Sequence, residues 1–145
     1  MKLNDTYYRS AALEHLNLSQ RAYEQGEYFV AHYFSGIAVE CMLRAHMYRV
    51  DRKWRPEHDI YNLAKDSRFF DLIPAQEQEQ WVAKLSALNL TWRSNHRFFS
   101  EGALRKYLNG IGATRNMRGN VIKENARVVR NLAQEVVGLG ETRWR

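Results

Sequence analysis

The longest unbroken helical pattern in the chain, about Glu27 to Val50, constrains the rest most. Val30, Phe34, Ile37, Ala38, Cys41, Ala45 and Tyr48 recur there at steps of three and four, the spacing that gathers residues on one face of an α-helix. Ser35, Gly36, Ala38 and Ala45 lie among the large side chains and let another helix come close.

The same rule finds further helices. Tyr8, Ala12, Leu16, Ser19 and Tyr23 share a face over about Asn4–Gln25, with Asn4 or Asp5 to cap the start and Gly26 to end it. A short helix is expected over Asp59–Lys65, with Ile60 and Leu63 facing in. A longer one is expected over Ala75–Trp92, where Pro74 suits the first turn and Trp81, Leu85, Leu88 and Trp92 step together. Ser100-Glu-Gly-Ala begins a helix to Leu108. The last, about Val121–Leu139, places Ala126, Val129, Leu132, Ala133 and Val136 on one face, with Gly138 and Gly140 to end it. No stretch shows sustained strand alternation. The expected fold is therefore all-α, an antiparallel bundle of four main helices with short additions, in one domain spanning 1–145.

Charge is unevenly placed. Residues 1–90 carry 11 Lys/Arg against 12 Asp/Glu, and residues 91–145 carry 11 against 4. The C-terminal part thus holds all of the +6 net charge. Such a face attracts polyanions such as RNA, nucleotides or an acidic partner, although a merely solvated surface would look the same. No apolar run reaches the ~18 residues of a membrane span, and no hydrophobic signal segment opens the chain. One cysteine, Cys41, makes no internal disulfide. The expected setting is the cytoplasm, with no membrane association.

Histidines 15, 32, 46, 58 and 96 form no metal-binding spacing, so no metal or cofactor is expected. Gly110-Ile-Gly-Ala-Thr-Arg lacks the third glycine of a dinucleotide loop and follows a helix. Its readings are a flexible connector, or a loop offering amides and Arg115 or Arg118 to a phosphate. Glu40 and Arg44 stand four apart, so their side chains meet; such a pair either fixes helix packing or serves a site. Arg93 and His96 stand three apart. A histidine base and an arginine beside a crowded phosphate suit metal-free RNA cleavage, with Trp92 and Phe98 available to stack on bases. The plainer reading is a helix end where cations offset the dipole.

Gly26-Glu27-Tyr28, the alanine-rich middle, and Ala38-Val39-Glu40 followed by Leu43-Arg44-Ala45 resemble the second helix of HEPN domains, the "higher eukaryotes and prokaryotes nucleotide-binding" family. His58, Asp59, Ile60 and Leu63 are similar to an element that often follows, and Arg97-Phe98 to a pair near a later helix end. The likeness spans about residues 6–137. It implies an α-helical bundle, usually a homodimer, often encoded beside a minimal nucleotidyltransferase in toxin–antitoxin or defence modules. It implies structural roles for Glu40, Arg44, His58 and Asp59. Many such domains are metal-independent ribonucleases with an arginine and a histidine separated by four to six residues near the start of the last core helix. This chain has no histidine after His96, and Arg52 and His58, which have the spacing, lie in a loop.

The leading expectation is a non-catalytic component that binds RNA, a nucleotide or a nucleotidyltransferase partner. Arg93, Arg97, Arg115, Arg118, Arg127 and Arg130 would supply anion contacts. The alternatives are a ribonuclease using Arg93, His96 and Arg97, and a helical interaction module with no nucleic-acid role.

Overall fold

A computed structural model describes residues 3–51 and 59–144. Among them are six α-helices, α1 (Asp5–Glu24), α2 (Tyr28–Val50), α3 (Ile60–Asp66), α4 (Gln78–Thr91), α5 (Glu101–Gly110) and α6 (Val121–Thr142), and no strand. The all-α expectation holds. His58 and Arg52 lie outside the described residues.

Local chemistry sets the helix starts. Side chains of Asn4, Asp59, Ser100 and Asn120 accept from the backbone N–H groups of Tyr7, Asn62, Ala103 and Lys123 at 3.0–3.1 Å. Each satisfies a donor that the first helical turn leaves open. Between α1 and α2 the chain reverses at Gly26, whose φ of +79° suits glycine. The turn closes with Glu27 N–H donating to Ala22 O at 2.8 Å.

Helix α2 is the axis of the molecule. It packs against α1, α3 and α6, and from Ser35 to Met47 it is buried nearly all round. Leu43, Val39 and Met47 join Leu63, Phe69, Leu85, Leu88, Trp92, Val129 and Val136 in the main core. Glu40 and Arg44 do meet, with Nε–Oε2 at 3.6 Å, and both are buried.

The small residues of α2 have individual tasks. A Cβ at Gly36 would stand 1.9 Å from the indole of Trp92. Glycine here is the notch that lets Trp92 lie flat on α2. The indole N–H then donates to Tyr33 O at 3.1 Å, which leaves Trp92 1% exposed. Trp92 is therefore core, and the expectation that it could stack on bases is corrected.

Two boundaries depart from the expected ones. Residues Ala75–Glu77 form a 3-10 turn, and α4 starts at Gln78. At the other end of the chain, Gly138 and Gly140 do not stop α6, which runs to Thr142. Gly140 is a contact residue. A Cβ there would lie 2.5 Å from Met42 Cγ, and its carbonyl accepts from His46 Nε2 at 3.0 Å. Beyond it, Trp144 is covered by the Arg49 guanidinium, 3.5 Å from the ring centre, and Arg9 pairs with Glu141. These contacts fasten the end of α6 to α1 and α2.

Candidate nucleic-acid interface

The stretch from Leu90 to Phe99 holds the residues of greatest chemical interest, and a change of backbone divides them. Helix α4 stops at Thr91. Trp92 and Arg93 are both extended (ψ 132° and 147°), and a 3-10 turn, Ser94–Phe98, follows. The regular helical turn that would have put Arg93 and His96 on one face is absent. Arg93 points to solvent, and the Asp59 carboxylate lies 3.8 Å from its Nη1. His96 turns inward and is 0% exposed. The expected surface pairing of Arg93 with His96 is corrected for that reason.

His96 enters a buried polar chain that reaches across three elements. Its Nδ1 lies 3.0 Å from His32 Nε2 on α2. His32 Nδ1 in turn lies 2.8 Å from Asn125 Nδ2 on α6. The direction of this chain follows from one fixed donor. The Arg93 backbone N–H points at His96 Nδ1 at 3.3 Å, so Nδ1 carries the lone pair. His32 Nε2 must then donate to it, His32 Nδ1 must accept, and the Asn125 amide donates. The proton of the neutral His96 ring sits on Nε2, which is buried and without a partner.

Burial sets the protonation of both rings. The apolar surroundings push His32 down to about 3, with the neighbouring His96 adding to the shift. Burial likewise brings His96 down to about 4, helped by the Arg93 guanidinium. Both rings are neutral at neutral pH. A general base at a phosphate must reach the proton it removes, and His96 is enclosed by Phe99 and Tyr107, whose ring centres lie 4.8 and 4.9 Å away.

The surface around this chain is basic and aromatic. Arg97 stacks over Phe98 at 4.7 Å, and Phe98 is 77% exposed. An open cleft of about 780 Å³ lies between the end of α4, the 3-10 turn and α5. Arg93, Asn95, Phe99, Tyr107 and Ile111 line it. The Tyr107 hydroxyl is committed to Leu90 O at 2.5 Å. A second hollow of about 500 Å³ follows directly along the chain, lined by Gly112, Arg115, Met117, Arg118 and Glu124. The Gly-x-Gly loop is thus folded into turns, with Ala113 N–H donating to Leu108 O at 3.0 Å.

The six expected anion-binding arginines fall into two groups. Arg93, Arg97, Arg115 and Arg118 are exposed, Arg93 on the first hollow beside Asp59, Arg97 beside Phe98 and Tyr33, and Arg115 and Arg118 on the second hollow. On α6, Arg127 is exposed too and Arg130 is half-buried, and both have closer partners than Arg93 has in Asp59. Arg127 pairs with Glu124 at 2.5 Å. Arg130 bonds Gln20 and lies over the Tyr23 ring at 5.1 Å. Among the described residues, no group of three or more His, Cys, Asp or Glu side chains could hold a metal. Cys41 is no nucleophile, because burial pushes its thiol up to about 12.

Sequence reasoning missed His32, Asn125, Phe99 and Tyr107. A signal for two of them existed. Asn125 falls in step with Ile122, Ala126 and Val129, and His32 with Ser35, Gly36 and Val39. A polar side chain in phase with an apolar stripe is buried, and a buried polar side chain needs a partner.

Fold and site together define an all-α helical protein with an arginine-rich rim beside a neutral, buried histidine pair. No family model, curated protein or solved structure matches the chain. No helix among the described residues is long and apolar enough to cross a membrane.

Proposed function

We propose that this chain is a HEPN-like, non-catalytic binding component, acting as a homodimer in a prokaryotic toxin–antitoxin or defence-type module. Its ligand is RNA, a nucleotide or a nucleotidyltransferase partner, met through the rim of Arg93, Arg97, Arg115 and Arg118. The observation that carries this reading is the split between the two kinds of group. The cations face solvent, while the imidazole in the same stretch is buried, neutral and already hydrogen-bonded. Cations without an accessible base hold phosphates but do not activate a 2′-hydroxyl. The geometry therefore favours binding over the ribonuclease reading of Arg93, His96 and Arg97. Exposed Phe98 beside Arg97 adds a stacking surface suited to unpaired bases.

Fluorescence anisotropy with a single-stranded oligoribonucleotide tests the RNA arm. Affinity is expected to fall steeply as salt rises from ~50 to ~200 mM, because each phosphate contact releases counterions. The double variant Arg115→Glu, Arg118→Glu should weaken binding and flatten the salt slope. Absent or salt-independent binding would remove RNA as the ligand.

A further inference from the structure

The three-and-four stripe of α2 does not sit in the core. Val30, Phe34, Ile37, Cys41 and Tyr48 keep that spacing, yet each is only half-buried. The core is filled from other sides of the helix, by Val39, Met42, Leu43 and Met47. A stripe of this kind is patterned to pack against something. Near the Gly26 turn the chain itself does not cover it. Phe34 touches only rings beside it, His15 at 5.4 Å and Tyr33 at 5.8 Å. Among the described residues, neither Phe34 nor Leu18 of α1 packs on a buried apolar cluster. A hollow of about 240 Å³ opens there, lined by half-buried Leu18, Val30 and Phe34 and by exposed Arg21, Gln25 and Glu27.

Helix α1 borders this hollow with a patterned edge of its own. Tyr7, Ala11, Glu14, Leu18 and Arg21 follow at steps of four and three, so they share one side of the helix. Tyr7 is 47% exposed, and Glu14 and Arg21 are exposed. Among the described residues, neither the Glu14 nor the Arg21 side chain has a hydrogen bond or ion pair. Seven residues apart, they are about 10 Å distant along the axis and do not reach each other. Their placement is symmetric, since Glu14 precedes the middle of the edge by as much as Arg21 follows it. Such an edge is complementary to itself run backwards. Two copies of α1 laid antiparallel, with Leu18 at the centre, bring Glu14 of each copy against Arg21 of the other. Reciprocal pairing of this kind is what a two-fold contact requires.

We infer that the α1–α2 face around Leu18 and Phe34 docks a second copy of this chain, antiparallel about a two-fold axis. Leu18, Val30 and Phe34 supply the apolar centre, and the two Glu14–Arg21 pairs at its ends set the register. The inference rests on the homodimer of the proposed function and gives that dimer a face. A partner of one charge sign would satisfy only Glu14 or only Arg21, whereas a second copy satisfies both.

Sedimentation velocity of the full chain across a range of concentrations tests this. The variants sit at exposed positions, and urea unfolding checks that each is as stable as wild type. Wild type should sediment as a dimer. Arg21→Glu alone, or Glu14→Arg alone, sets like charges together at both ends of the axis and should weaken the dimer about tenfold. The double variant Glu14→Arg, Arg21→Glu exchanges the signs at both ends and should return the dimer to wild-type strength. Side chains that matter only within one copy would not give that rescue. If wild type dimerises and neither single change weakens it, or if the double variant stays as weak as the singles, this face is not the interface. The inference is then overturned and the dimer reading stands. If wild type is a monomer at every concentration, both fall.

Discussion

The interior around His32 and the rim around Arg93 lie side by side, yet their polar groups are held in opposite ways. Inside, Asn125, His32 and His96 are neutral and joined end to end over 2.8 and 3.0 Å. Outside, Arg93 meets Asp59 at 3.8 Å and Arg97 rests on an exposed ring. The interior group fixes geometry and stability. The rim is free to exchange water and weak partners for a ligand, because exposed ion pairs contribute little to stability. Variants should therefore separate sharply by side.

The largest effect is expected at the junction of the two regions. Trp92→Ala removes the indole that fills the Gly36 notch and should cost about 3–5 kcal/mol in urea unfolding. Loss of under 1 kcal/mol would show that the indole is not the keystone of the packing at the Gly36 notch of α2. Gly36→Ala sends a methyl into that indole and should cost about 1–3 kcal/mol, although alanine is ordinarily the better helix former.

Breaking the buried chain comes next. Asn125→Leu strands the His32 Nδ1 lone pair and should cost about 1–3 kcal/mol. The double variant His32→Leu, Asn125→Leu should cost less than the sum of the two single changes, because the partners are coupled. Strict additivity would mean that the two side chains do not act as one unit.

Acid should sharpen the comparison further. His32 and His96 have folded values of about 3 and about 4, below the ordinary 6.5. A depressed histidine leaves the unfolded chain binding protons first. Stability is thus complete above pH 6.5, declines as pH falls from there toward 4, and goes on declining toward 3. The urea midpoint followed from pH 7 to 4 should fall in wild type, and more shallowly in His96→Gln. The smallest effect belongs to the rim. Arg97→Ala and Arg118→Ala should leave the midpoint unchanged while weakening RNA binding.

Much of the fold was legible because helix grammar is local. Asn4, Asp59, Ser100 and Pro74 marked starts or entries, and the three-and-four spacing found the buried face of α6. On α2 it picked the less buried side: Val30, Phe34, Ile37, Cys41 and Tyr48 are half-buried, while Val39, Met42, Leu43 and Met47 are buried, because a helix enclosed on several sides has no single apolar stripe to read. The glycines near the end of α6 misled, since Gly140 is small for the sake of Met42 and His46 on another helix, a demand that no local rule contains. The site was legible only in part, and two pairs show why. Glu40 and Arg44 were read as touching, and they touch, because α2 is unbroken between them. Arg93 and His96 were read as sharing a face, and they do not, because the backbone is extended at Trp92 and Arg93. Spacing rules hold inside a helix and fail across its end. His96's true partner, His32, lies 64 residues away, beyond any spacing rule.

The claim that this surface binds and does not cut is tested most directly by incubating purified chain with a labelled single-stranded RNA, without divalent metal, and following RNA length for wild type and His96→Gln. The account expects the RNA to be bound yet to remain full length with both proteins. RNA cleavage by wild type that disappears in a folded His96→Gln variant would contradict it.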